Sequence, residues 1–311
     1  MIHATPRAIR CLIATVALLS LAQPASPAIA QPAPARHAAG AGKNDCRTCN
    51  ADTNLRTSSA PAIAQPVFRT CDAFQTPRAN GYPCGQCTWW AAYLRPDIPT
   101  SSALWPRPAH ASMWDDNWRA LGLATTAVPE PGAIAVFEPE FVKNDEGHVA
   151  YVVAAAPIRA GAVTYSITVS HMNWDQCQGS TAPCQNVFQV SPEDAVTFIP
   201  PAAVLFEAPF FGGDQETPAV LRLTDSEAHL SQRRFGGSKR RVDLHVHSIY
   251  IPPGWAVELF SKPALQGERL VLTGTLDIAS SLPDLSVVAY PDGSPVGGRV
   301  RSIRITRAGG T

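Results

Sequence analysis

The chain has 311 residues, enough for one large domain or for two of ordinary size with linking segments between them. Hydrophobic residues make up 45% and charged residues only 16%, while Lys+Arg and Asp+Glu both number 25. A formally neutral chain projects no long-range field toward nucleic acid or an anionic membrane, so polyanion binding is excluded as the organising function.

The N-terminus carries Arg7 and Arg10, an apolar stretch over residues 11–22, and then "SPAIAQ" with Ala28 and Ala30 at the small-residue positions of a cleavage site. This pattern predicts a secretory signal over residues 1–30, too short in its apolar part to span a bilayer. An exported chain meets an oxidising compartment, where cysteines pair. Cys11 leaves with the signal, and seven remain at 46, 49, 71, 84, 87, 177 and 184. Seven is odd, so one thiol stays free or pairs between chains. Residues 31–66, rich in Pro, Ala, Gly and Ser, lack any periodicity and read as a flexible tether around the Cys46–Cys49 pair.

Residues 67–200 read as an α+β domain. The segments "CTWWAAYL" (87–94) and "SMWDDNWRALG" (112–122) predict short helices, the second with Ser112 as a cap and Asp115 and Asp116 in its first turn. Four β-type runs follow at 133–138, 148–156, 163–174 and 196–200, with connections of hairpin length, which predicts an antiparallel sheet. Tryptophans 89, 90, 105, 114, 118 and 174 fall here and are expected mostly in the core.

From residue 203 onward a repeat emerges. "LFEAPFFGG" (205–213) matches "LFSKPALQG" (259–267), and "VHSIYI" (246–251) matches "VRSIRI" (300–305). Phe206 and Phe260, Gly213 and Gly267, and Ser248 and Ser302 all stand 54 apart, which marks a duplication. Two copies of one all-β unit predict a sandwich of two Greek keys over residues 203–307, with the paired glycines at positive φ.

A catalytic thiol acts as thiolate, and a free cysteine of pKa about 8.5 is activated by a helix N-terminus and an imidazole. Cys87 opens the helical run 87–94 behind Gly85 and Gln86, where unpaired N–H groups converge that could also hold an oxyanion. His148, in "EGHVAYVV", opens an apolar strand with Gly147 leaving room beside it. It is either the general base or an ordinary strand-edge histidine. A base needs a group to orient its far nitrogen, and the following strand offers Asn173, with His171 two positions earlier on the same face.

"YPCGQCTWWAA", "PEPGAIAVFE", "GHVAYVV" and "ITVSHMNW", in this order and at these separations, resemble the CHAP family of cysteine, histidine-dependent amidohydrolases and peptidases. The resemblance implies a papain-like layout, with Cys87 as nucleophile, His148 as base, Asn173 as its orienting amide and Gln86 beside the oxyanion. The family usually carries Glu two positions before that Asn, where this chain has His171, a possible modulator lacking a carboxylate. The implied substrate is peptidoglycan, cut at the muramoyl–L-alanine amide or at a stem or cross-bridge peptide bond. The alternative is a non-catalytic wall-binding protein with a degenerate pocket. Some family members hold calcium in the loop before the cysteine; here that loop offers only Asp72, so no metal or cofactor is expected. With Cys87 reserved, six cysteines make three disulfides, with Cys177–Cys184 the expected pair and three connectivities open among 46, 49, 71 and 84.

The duplicated unit resembles the βγ-crystallin fold in Phe206, Glu207, Pro209, Phe211 and Gly213, and in Phe260, Pro263 and Gly267 with Leu265 in place of the aromatic. Its calcium ligands are poorly matched: Asp243 reads as a surface charge, His245 and His247 as strand histidines, and "RRFGGSKRR" (233–241) as a solvated loop. The unit is expected to serve wall targeting or structure. The mature protein is expected to be an exported monomer with a wall peptide or peptidoglycan as partner, and with no nucleic acid and no membrane span.

Overall fold

The computed structural model describes residues 81–99, 110–174, 182–213, 215, 218–275 and 281–307. The signal and tether (1–66), Cys46, Cys49, Cys71, Trp105 and Cys177 lie outside the described residues. No described helix is long and apolar enough to cross a membrane.

The first sheet has five antiparallel strands: β1 (Ile134–Phe137), β2 (His148–Pro157), β3 (Tyr165–His171), β4 (Cys184–Val190) and β5 (Val196–Ile199), in the order β4-β3-β2-β1-β5. β1, "IAVF", is buried at all four positions because both of its faces are covered. Ile134 and Val136 join Val149 and Tyr151 on one face, while Ala135 and Phe137 join Ala150 and Val152 on the other. The edge strand β4 is absent from the sequence reading. Its run "CQNVFQV" mixes Gln and Asn with Val and Phe, and the alternation is that of a strand with one face half-covered.

Helix α1 (Cys87–Leu94) packs on the Val149–Tyr151 face. Every residue after Cys87 in it is buried, so packing rather than intrinsic propensity holds an eight-residue helix together. Trp89 and Trp90 both stack on Tyr93, with centroids 5.6 and 5.3 Å apart, and the Trp90 indole N–H donates to Ser170 Oγ of β3 at 2.9 Å. Trp89, Trp90, Trp114 and Trp118 are core residues, as expected.

Helix α2 (Trp114–Ala120) carries Asp115 and Asp116 in its first turn, but Ser112 does not cap it. Met113 occupies the cap position, and Ser112 lies in a preceding 3-10 turn (Ala111–Met113) where its N–H donates to Glu146 O at 3.0 Å. Ser112 is spent on holding the loop that leads into His148. A one-turn helix α3 (Pro139–Val142) connects β1 to that loop.

The C-terminal repeat forms two three-stranded sheets. β6 (Ala203–Phe206) lies between β7 (Val220–Leu223) and β8 (Ser248–Tyr250), and β9 (Trp255–Lys262) lies between β10 (Gln266–Thr273) and β11 (Ser302–Arg307). The duplication extends to single hydrogen bonds. Ser248 Oγ accepts from Phe211 N (3.1 Å) and donates to Ala208 O (2.7 Å), while Ser302 Oγ accepts from Leu265 N (3.1 Å) and donates to Lys262 O (2.6 Å). Phe210 and Phe211 take the left-handed conformation, and so do Ala264 and Leu265 at the matching positions; Gly213 and Gly267 are also at positive φ. Each copy also lends a bridge to the other's sheet, Glu227 to Ile303 and Leu282 to Ile249, so one core of Leu205, Ile249, Val257, Leu259 and Ile303 serves both.

Candidate functional site

Cys87 is the first residue of α1, behind Gln86, whose extended backbone (φ −90°, ψ 156°) ends the loop. The preceding turn closes with Gln86 N donating to Pro83 O at 3.3 Å, and Gly85 sits at φ 82°. Among the described cysteines Cys87 is the free one, and Cys84 and Cys184 are disulfide-bonded.

The Cys87 sulfur faces the backbone N–H of Val149, the residue after His148, and those of Thr88 and Cys87 itself. Burial nonetheless dominates and pushes the thiol up to about 11; the N–H groups pull the other way, and the Glu146 charge adds to the rise. His148 is held well below its ordinary value by burial and, secondarily, by His171. Both shifts favour the uncharged form, of the thiol and of the imidazole alike.

His148 begins β2, opposite Phe137 of β1. Its ring is enclosed by aromatic neighbours: His171 edge-on at 5.0 Å and 88°, Trp174 at 4.6 Å and Phe137 at 6.2 Å between centroids. His148 is 2% exposed, and its Nε2 is buried with no hydrogen-bond partner among the described residues. Such an atom costs on the order of 1–3 kcal/mol, and the fold carries that cost at the position where a base would work. Gly147 precedes it at φ 70°, in a space where a Cβ would lie 2.6 Å from both Phe137 O and Ser112 Cβ. The room beside His148 is thus taken up by backbone, and glycine is what lets the two chains approach.

His171 ends β3, fully buried beside His148. Asn173 follows at φ 58°, and its amide Nδ2 donates to Gln86 Oε1 at 2.7 Å. In this arrangement Asn173 fixes the residue before the thiol and is not bonded to the imidazole. Gln86 is exposed, with its own amide N–H groups left to donate.

Two contributors lie outside the residues expected from the sequence. The Val149 N–H has no side-chain signal. Phe188 of β4 stacks on Trp174 (5.1 Å, 17°) and touches Phe137 (5.7 Å), closing the aromatic wall behind the histidines. The alternation of Phe188 and Val190 against Gln185 and Gln189 is the signal that could have found it.

Among the described residues no three His, Cys, Asp or Glu side chains converge as a metal site. In the repeat, Asp243 is half-buried, and its carbonyl lies 2.9 Å from His245 Nδ1.

A family model described as the CHAP domain matches residues 77–173, which include Cys87, His148, His171 and Asn173. No curated protein matches the chain. Similar solved structures include βγ-crystallin domains, which cover the later part of the chain. One from Clostridium beijerinckii is 19% identical, covering 33% of this chain and 95% of its own, with a TM-score of 0.24. One from Flavobacterium johnsoniae is 16% identical, covering 35% and 99%, with a TM-score of 0.25. The N-terminal domain of Protein S is 15% identical, covering 34% and 96%, with a TM-score of 0.24.

Proposed function

We propose that this chain is an exported hydrolase that cuts an amide bond of peptidoglycan through a cysteine thioester, with residues 67–200 as its catalytic domain. CHAP domains are typically amidases or peptidases, and the matched segment supports that class. The observation that carries the reading is Cys87 itself: a free thiol at the start of a buried helix, its sulfur against the N–H next to His148.

In this reading His148 accepts the Cys87 proton as the sulfur attacks the amide carbonyl, so charge appears only with substrate in place. The N–H groups of the helix start and the Gln86 amide hold the oxyanion, and Asn173 keeps Gln86 turned toward it. The C–N bond breaks as imidazolium returns the proton to the leaving amine. Water then attacks the thioester, releasing a carboxylic acid and the free thiol. Trp174 and Phe188 screen His148 from water. The competing reading, a non-catalytic wall-binding protein, draws on the shifts of Cys87 and His148 toward their uncharged forms and on His171.

Mass spectrometry of muropeptides after digestion with wild type and Cys87→Ala separates the two. New amino termini, or glycan stripped of stems, lost at least about a thousandfold in the variant, support the hydrolase. Intact muropeptides after treatment with either protein support the binder.

A further inference from the structure

The C-terminal repeat has the position of an accessory wall-binding module, yet the contacts at its junction with the first sheet are those of a protein core. Arg95, the residue closing the C-terminal end of α1, is fully buried, and its Nε and Nη2 donate to Asp97 at 2.8 and 3.0 Å. Arg222, from β7 of the repeat, donates through Nε to the same carboxylate at 2.9 Å and through Nη2 to the Asp97 carbonyl. One buried carboxylate thus serves two guanidinium groups, one from each side of the junction.

The second positive charge is absorbed locally. Arg95 Nη1 donates to Gly132 O (2.9 Å) and Pro200 O (3.3 Å), the Arg95 guanidinium lies over the Tyr250 ring (5.9 Å), and that of Arg222 lies over Trp118 (4.8 Å). The Tyr151 and Tyr250 hydroxyls meet at 3.1 Å. Gly132, at φ 88°, lies against Pro201, Pro252 and Pro253, whose ring atoms a Cβ there would meet at 3.1–3.3 Å. The connection from β5 to β6 is only Pro200, Pro201 and Ala202, two of them rings that fix φ. A module meant to swing needs a longer and softer linker and a wetter interface.

We infer that the C-terminal repeat is a brace built into the first unit, and that Arg222 is a positioning residue that holds the far end of the helix bearing Cys87. Through Asp97 and Arg95 the repeat fixes the C-terminus of α1, and eight residues of helix, on the order of 12 Å, carry that constraint to the thiol. This rests on the proposed function only in treating Cys87 as the group worth positioning.

The test uses the full chain and reads melting and thiol reactivity, so it can fail without the hydrolase reading failing. Differential scanning calorimetry of the wild type is expected to give one transition covering both units; two separated transitions overturn the inference. Arg222→Met, which keeps the aliphatic stem, is expected to lower that single transition by about 5 °C. At 25 °C, far below it, the variant is expected to speed iodoacetamide labelling of Cys87 about fivefold as the helix loosens, with Arg222→Lys in between. An unchanged labelling rate in a folded Arg222→Met protein overturns the positioning role. If that variant does not fold, hydrogen exchange on the wild type decides. Equal opening free energies for amides of α1 and of β6–β8 support the brace, and protection of one unit while the other opens overturns it.

Discussion

Two regions of this molecule bury titratable side chains and treat them in opposite ways. At the junction the guanidinium groups of Arg95 and Arg222 hold the Asp97 carboxyl well below the usual carboxylate range, and Nε, Nη1 and Nη2 of the buried Arg95 each donate to a carboxylate or a carbonyl. At the candidate site, Cys87 and His148 are shifted toward their uncharged forms, and His148 Nε2 is left without a partner among the described residues. The first arrangement is that of a structural element, saturated and fixed. The second keeps bonding capacity in reserve, which is what a group that must handle a proton during a reaction requires.

Breaking the saturated side should produce the larger effect. Asp97→Asn leaves the buried Arg95 guanidinium and the partly buried Arg222 guanidinium facing a neutral amide and is expected to cost about 3–5 kcal/mol, read as a lower midpoint in denaturant unfolding. A loss under 1 kcal/mol would mean that the cluster is decoration.

The unsaturated side should respond in reactivity more than in stability. His171→Glu puts a carboxylate beside His148, favouring imidazolium over neutral imidazole. Labelling of Cys87 near neutral pH is expected to rise about tenfold, which corresponds to about 1.4 kcal/mol in favour of the thiolate–imidazolium pair. No increase in a folded variant would show that His171 does not set the charge state of its neighbour.

A further effect lies in the pH dependence of stability, where the signs follow from the two shifts. The Cys87 thiol is raised in the folded state from 9.0 to about 11, so its contribution to stability is present below about 9 and lost as pH rises toward 11. His148 is depressed, so its contribution is present above about 6.5 and lost as pH falls. Thermal midpoints should therefore be flattest between about 6.5 and 9, with Cys87→Ala removing part of the alkaline decline and His148→Ala part of the acidic one. Unchanged slopes in both variants would contradict the shifts toward the uncharged forms.

The repeat was legible in the sequence as a 54-residue offset, and the structure adds the reason for its serines: Ser248 and Ser302 satisfy equivalent pairs of backbone groups in the turns they hold. The elements bearing the candidate site were legible too: glycines before Cys87 and His148 and apolar runs after them mark a turn entering a helix and a turn entering a strand. Three features were not. Ser112 looks like a helix cap, yet it sits inside a 3-10 turn (Ala111–Met113) that places Met113 at the cap position. The edge strand β4 alternates, but Gln185, Asn186 and Gln189 dilute its apolar pattern. Asn173 reads as a partner for the imidazole and instead bonds Gln86, because a left-handed turn after Met172 re-aims its amide. The junction left no trace, since Asp97 and Arg222 are 125 positions apart and no local pattern pairs them.

The most direct measurement is intact-protein mass spectrometry of the chain quenched in acid during digestion of peptidoglycan. The account predicts a hydroxylamine-labile adduct of wall-fragment mass on Cys87, absent from Cys87→Ala. Wall fragments released with no adduct on that sulfur, or with an adduct on another residue, would contradict it.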